Sequence, residues 1–189
     1  MKTYSIIFLI LSVSIFGCDK KIKEYSDIKV EDNNGETLAL TTLEGEWIVY
    51  AFLSPECPLS ENYTRTLMQF QDSLLDEDVL FYYVFPGIFY PKQQIQVFAE
   101  NYGMPLDRFL YDKEYLLRDY CAASTTPEVF LIDKNGKIFY SGAIDNWAIT
   151  LGKQRQVISE HYLGDAINEV LQGKEVSVSK TRAVGCIIE

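Results

Sequence analysis

Hydrophobic positions along this chain alternate between short unbroken runs and helical spacings. Trp47-Ile48-Val49-Tyr50-Ala51-Phe52 is β-branched and aromatic and predicts a strand. Leu53-Ser54-Pro55-Glu56-Cys57-Pro58 breaks it, and from Leu59 to Leu75 apolar Leu67, Phe70 and Leu74 fall at helical spacing. Val79 to Phe85 is almost continuously apolar, as in a central strand buried on both faces. Pro91 suits the first turn of a second helix, whose apolar side is Ile95, Phe98, Ala99 and Tyr102. A short extended piece at 109–111 and a short helix over Lys113 to Cys121 follow. Val129-Phe130-Leu131-Ile132 and Ile138-Phe139-Tyr140, joined through Asn135-Gly136, predict two paired strands. His161 to Leu171 closes the pattern as a helix with Leu163, Ala166, Ile167, Val170 and Leu171 on one side and Gly173 as its stop. Upstream, Ile28-Lys29-Val30 and Thr37-Leu38-Ala39-Leu40 flank Asn33-Asn34-Gly35, a hairpin signal. The tail from Val176 to Glu189 reads as extended. This is one α/β domain, a central mixed β-sheet flanked by helices, with no internal repeat.

The 189 residues suffice for one real core, and 13 Tyr with 11 Phe exclude a disordered chain. A formal charge of −10 argues against nucleic acid as a partner. Residues 1–18 look like an export signal: Met1-Lys2 is the basic start and Ile6 to Phe16 an apolar run too short for a comfortable span. Ile15-Phe16-Gly17-Cys18 resembles a bacterial lipobox, which implies lipidation of Cys18 and a protein tethered to a membrane of the cell envelope, facing the periplasm or exterior. An ordinary cleaved signal or a single anchor helix is the alternative. The expected divisions are a signal at 1–18, a linker at 19–27, a domain at 28–174 and a tail at 175–189 carrying Cys186.

With Cys18 used as anchor, Cys57, Cys121 and Cys186 are left in a disulfide-permissive compartment. Cys57 sits at a predicted helix start, where unpaired N–H groups and the positive dipole end favour a thiolate. The bland reading is a small buried core cysteine. Cys186 can return to the fold on the tail, whereas Leu116, Leu117 and Tyr120 around Cys121 suggest packing. Glu56 would raise the Cys57 pKa if its carboxylate came close, and Asp145 lies in a polar turn without an assigned role. With one histidine in the chain, a Cys-His nucleophilic pair fits poorly, and no Gly-rich phosphate loop is present.

Phe52 to Ser60, together with Thr126-Pro127 before an apolar strand, resembles the paired signatures of thioredoxin-fold redoxins. The alkyl hydroperoxide reductase C / thiol-specific antioxidant proteins and the TlpA-like membrane-anchored thioredoxins are the similar group. The resemblance covers about Ile28 to Gln172. It implies a thioredoxin-like fold, Cys57 as attacking cysteine, and a cis Pro127 against it, with Pro58, Ser60, Thr126 and Pro127 shaping the substrate face. Ser60 stands where a second cysteine would be, so no local disulfide can close, and Cys186 becomes the expected resolving thiol. Against the peroxiredoxin pattern, Ser54 replaces the threonine hydroxyl, Tyr50 occupies the proline's place, and no polarising arginine is identifiable; general thiol redox is therefore expected ahead of peroxide reduction. The implied partners are protein thiols and disulfides or small peroxides, with a separate reductant and no cofactor. Two alternatives stand beside this: a copper-binding or delivery module holding Cu(I) on Cys57 and Cys186, and a scaffold in which those cysteines form a structural disulfide. His161 is expected to face solvent on the closing helix.

Overall fold

The computed structural model describes residues 24–189. The export segment 1–18, the lipidation residue Cys18 and positions 19–23 of the expected linker lie outside the described residues. Folded packing begins at Tyr25, within the span expected as linker: its ring is buried, and its hydroxyl hydrogen-bonds that of Tyr50 at 2.7 Å.

Seven strands form one mixed sheet. They are β1 (Lys29–Asp32), β2 (Thr37–Ala39), β3 (Trp47–Phe52), β4 (Val79–Pro86), β5 (Phe109–Asp112), β7 (Glu128–Asp133) and β8 (Ile138–Gly142), in the order β2-β1-β5-β4-β3-β7-β8. The remaining short strands are β6 (Thr125–Thr126), the unpredicted hairpin β9 (Ala148–Thr150) and β10 (Lys153–Gln154), and β11 (Cys186–Ile187). β3 is central, parallel to β4 and antiparallel to β7, with Phe52 opposite Val84 and Glu128. Alternate side chains of β3 and the residue after it divide the core: Val49, Ala51 and Leu53 belong to one face, Ile48, Tyr50 and Phe52 to the other.

The helices α1 (Pro58–Ser73), α2 (Lys92–Tyr102) and α4 (Tyr162–Leu171) supply buried side chains to the first face. Leu59, Tyr63 and Leu67 bury one stripe of α1, and Pro58 occupies its first turn, where a missing N–H costs nothing. The short helix α3 (Leu116–Cys121) packs on the second face and starts later than the expected Lys113. The Asp112 carboxylate accepts from the N–H groups of Leu117 (3.2 Å) and Arg118 (2.7 Å), which fixes the chain as a turn before the helix.

The tail is extended, as expected, and held along its length. The Glu169 carboxylate accepts from the Ser177 N–H at 2.9 Å. Ser141 of β8 donates to the Ser179 carbonyl at 3.0 Å and accepts from the Thr181 N–H at 2.9 Å. The Thr181 hydroxyl oxygen accepts from the Ala143 N–H at 2.9 Å and is 2.6 Å from the Tyr140 hydroxyl. Gly142 permits this approach, since a Cβ there would stand 2.3 Å from the Thr181 carbonyl oxygen, at a φ of 134° that disfavours any side chain. Beyond β11, the Ile188 N–H donates to the Ser124 carbonyl at 3.0 Å and the Ile188 side chain enters the second core.

Thr181→Val keeps the shape of this clamp but leaves the Ala143 N–H without its acceptor. Urea unfolding of the variant should show a loss of about 1–3 kcal/mol, the cost of an unpaired polar group. An unchanged midpoint and slope would show that the clamp contributes nothing.

Candidate active site

The site is built where β3 ends. The Leu53 N–H still pairs with the Val84 carbonyl at 2.9 Å, but the Ser54 N–H turns to the Ser60 hydroxyl oxygen at 3.2 Å, and the Cys57 N–H closes a turn onto the Ser54 carbonyl at 3.1 Å. Ser54-Pro55-Glu56-Cys57 is thus a tight reversal leading into α1, with Cys57 as its N-cap residue. Cys57 is wholly buried, Ser60 is buried beneath it, and Pro58 is exposed.

Across the reversal stands the second signature. The Thr126-Pro127 peptide is cis, and the Thr126 carbonyl oxygen accepts from the Cys57 thiol at 2.9 Å. Thr126 lies in β6, and its strand partner comes from the far end of the chain: β11 runs antiparallel to it, Cys186 opposite Thr126 and Ile187 opposite Thr125. Gly185 is required by this closeness, because a Cβ on it would lie 2.0 Å from the Thr126 carbonyl oxygen. The pairing brings the Cys186 thiol into hydrogen-bonding contact with Cys57. Cys57, Cys121 and Cys186 are all free thiols.

Burial opposes ionisation of Cys57, but the groups around it outweigh burial. The Cys186 thiol and the backbone N–H groups of Ser60, Cys186 and Leu59 donate to its sulfur and hold its pKa below the ordinary thiol value. The Thr126 carbonyl works the other way, accepting from a thiol and repelling a thiolate. Cys186 is shifted upward, to about 12, by its own burial and by the hydrogen bond and charge of Cys57. Of the two coupled sulfurs, Cys57 is therefore the one that ionises first.

Of the residues singled out in the sequence, Cys57, Ser60, Thr126, Pro127 and Cys186 converge here. Cys121 does not: it sits in the core on the opposite face of the sheet, where burial pushes its thiol well above the usual value. The Glu56 carboxylate is exposed and accepts from the Gln94 side-chain amide at 3.0 Å. Ser54 turns its hydroxyl to the Tyr90 hydroxyl, donating at 2.9 Å. Asp145 is buried as a structural acceptor, accepting hydrogen bonds from the Tyr63 hydroxyl at 2.6 Å and the Trp147 N–H at 2.8 Å. His161 is exposed just before α4. Among the described residues, no three His, Cys, Asp or Glu side chains gather as a metal-ligand set. The Ser54–Tyr90 pair and the strand made by Cys186 were not foreseen. Gly185 beside Cys186 was the available signal of a close backbone approach.

A model described as the AhpC/TSA family matches residues 7–141. The chain belongs to the AhpC/TSA family. No curated protein sequence matches it. Among solved structures, it is similar to a hypothetical protein of Sinorhizobium meliloti 1021, with TM-score 0.72 and 21% identity over 87% of this chain and 91% of that one. It is also similar to an uncharacterized conserved protein of Geobacillus kaustophilus, with TM-score 0.73 and 19% identity over 88% and 90%. A secreted disulfide oxidoreductase of Mycobacterium tuberculosis aligns with TM-score 0.51 and 17% identity over 60% of this chain and 81% of that one. The fold is thioredoxin-like, and the chain is a redoxin, an oxidoreductase by family. In this AhpC/TSA redoxin, α4 and the tail with Cys186 lie beyond the stretch that the family model matches.

Two substitutions test the arrangement. Gly185→Ala forces the tail off Thr126, so iodoacetamide should alkylate Cys57 at least about tenfold faster than in the parent, the equivalent of losing roughly 1.4 kcal/mol of closure; an unchanged rate would show that the tail does not cover the thiol. Cys186→Ala removes one donor to the thiolate while keeping the backbone N–H, so the Cys57 pKa, followed by thiolate ultraviolet absorbance against pH, should rise. A fall would contradict the donor assignment.

Proposed function

We propose that this redoxin cycles between a dithiol and a Cys57–Cys186 disulfide, with Cys57 as nucleophile and Cys186 as resolving thiol. The observation that carries the reading is the β11–β6 pairing, which sets the Cys186 thiol against the more acidic Cys57 sulfur. The Cys57 thiolate attacks a disulfide sulfur or peroxide oxygen, giving a mixed disulfide or a sulfenic acid. Cys186 then attacks the Cys57 sulfur and releases the second product as thiol or water. A separate thiol reductant restores the dithiol. Pro58, Ser60, Thr126 and cis Pro127 form the substrate face, with Ser60 and Thr126 fixing the loop and Pro58 exposed beside the nucleophile. The protein acts tethered to the bacterial cell envelope by a lipid on Cys18, facing the periplasm or exterior, on protein thiols and disulfides or small peroxides. The Ile15-to-Cys18 motif supports that placement.

The test is non-reducing mass mapping of the full chain across a glutathione redox series, alongside turnover with a reducible disulfide and a peroxide. A Cys57–Cys186 bond that opens and closes near the compartment's own potential is expected, and Cys57→Ser should abolish both bond and turnover with the fold intact. Turnover surviving in Cys57→Ser would sink the reading. A bond reduced only far below about −300 mV would replace it by the structural-disulfide alternative. Stoichiometric Cu(I) uptake weakened by both Cys57→Ser and Cys186→Ser, without turnover, would replace it by the metal alternative. Separately, Cys18→Ser should release the protein from the membrane fraction.

A further inference from the structure

Beside the Cys186 sulfur lies a cleft of about 430 Å³, bounded by the Leu53–Glu56 reversal, the loop after β4 and the tail. Its walls are about evenly polar and apolar, and the apolar part is Leu53, Pro86, Ile187 and Ile188, with Phe89. Phe89 is 62% and Ile187 81% exposed, so large apolar side chains stand open to solvent at its mouth. Its charged side chains are the carboxylates of Glu56 and Glu189, and among the described residues no cation lines it. Its neutral polar side chains are Ser54, Tyr90, Thr126 and the Cys186 thiol. Because the Ser54 hydroxyl donates to the Tyr90 oxygen at 2.9 Å, the Tyr90 proton is left to donate elsewhere.

We infer that this cleft is the substrate site, that it takes an uncharged molecule whose S–S or O–O bond is flanked by apolar groups, and that Tyr90 is the donor to the leaving atom. The inference rests on the thiol redox reading above. Cys186 lines the cleft and Cys57 does not, so the tail sulfur steps aside before Cys57 meets the substrate. The Cys57 thiolate then attacks one atom of the weak bond. That bond breaks, its electron pair leaves on the other atom, and the Tyr90 proton goes to it; solvent returns a proton to Tyr90. Cys186 next attacks the Cys57 sulfur, and its proton passes through solvent to the remaining half, which leaves as thiol or, from a sulfenic acid, as water. Two electrons pass from the dithiol to the substrate, and a separate thiol reductant resets the pair. An apolar wall rewards burial of the flanking groups, while carboxylates without a cation disfavour an anion.

The experiment follows single-turnover oxidation of the reduced full chain by 2-hydroxyethyl disulfide, cumene hydroperoxide and anionic glutathione disulfide. At least one uncharged oxidant should react about tenfold or more faster than glutathione disulfide, and which of the two does so separates disulfide from peroxide substrates. Tyr90→Phe should slow that oxidant about tenfold, the worth of one hydrogen bond, and leave the pH profile of Cys57 alkylation unmoved. Glu56→Gln should raise the rate with glutathione disulfide about threefold or more relative to the rate with the uncharged oxidant. A Tyr90→Phe rate equal to the parent's, or glutathione disulfide reacting as fast as the uncharged oxidants, would overturn this inference while leaving the redox reading standing. Thiols that none of the three oxidants consumes would sink both.

Discussion

The site depends on one short piece of backbone pairing, β11 against β6. It joins the end of the chain to the strand that carries the cis proline, and it needs Gly185, because nothing larger fits over the Thr126 carbonyl. Without it Cys57 would be a single thiol at a helix start, with Ser60 in the place of a local partner. With it, a second sulfur approaches from the far end of the chain. The contacts that hold the pairing are modest individually: the Thr181 clamp on Tyr140 and Ala143, the Gly142 approach, and Ile188 buried in the second core.

The electrostatics follow from the same pairing. Cys121 shows what burial alone does to a thiol in this protein: it stays protonated far above neutrality. Cys57 is as thoroughly buried by surface, yet is displaced in the opposite direction. The difference is hydrogen-bond donors. Two come from the first turn of α1, as a helix N-terminus supplies them, and two from the tail, the Cys186 thiol and its own N–H. The tail thus does more than bring a second thiol near; it helps create the reactivity of the first. In exchange Cys186 holds its proton tightly while Cys57 is ionised, which assigns nucleophile and resolving roles within the proposed cycle by electrostatics.

How much of this could be read from the sequence follows from how local each signal is. The β3 run, the Cys57-Pro58 helix start and the Thr126-Pro127 strand are contiguous patterns set by period and by proline chemistry, and the sheet and α1 stand where those patterns put them; the peptide before Pro127 is cis, as the resemblance implied. Cys186 as a partner for Cys57 was legible only by elimination and resemblance, since a pairing 129 residues apart (186 − 57) leaves no period to read. The tail's pairing with β6, the β9–β10 hairpin and the turn of Ser54 toward Tyr90 were not legible, because each depends on which loops the sheet brings together. α3 begins late for a related reason: the Asp112 carboxylate competes for the N–H groups of its first turn.

In the proposed cycle, a resolving thiol on the tail couples chemistry to chain order in a way a local one cannot. Closing so long a loop from a disordered tail would cost roughly 4–5 kcal/mol of chain entropy in the simple model, and an unpaired tail would rarely present its sulfur to Cys57. Here that ordering is already met in the dithiol by the Thr181, Gly185 and Ile188 contacts, before any bond forms between the sulfurs. Disulfide formation between pre-aligned thiols then starts from a high effective concentration. By linkage, whatever stabilises the docked tail makes the dithiol easier to oxidise, and whatever lifts it makes Cys57 both more accessible and less acidic. Reactivity toward an outside substrate and closure of the internal disulfide therefore pull on the same strand in opposite directions. A working cycle requires that its docking be held by small, separable contacts and not by one large one.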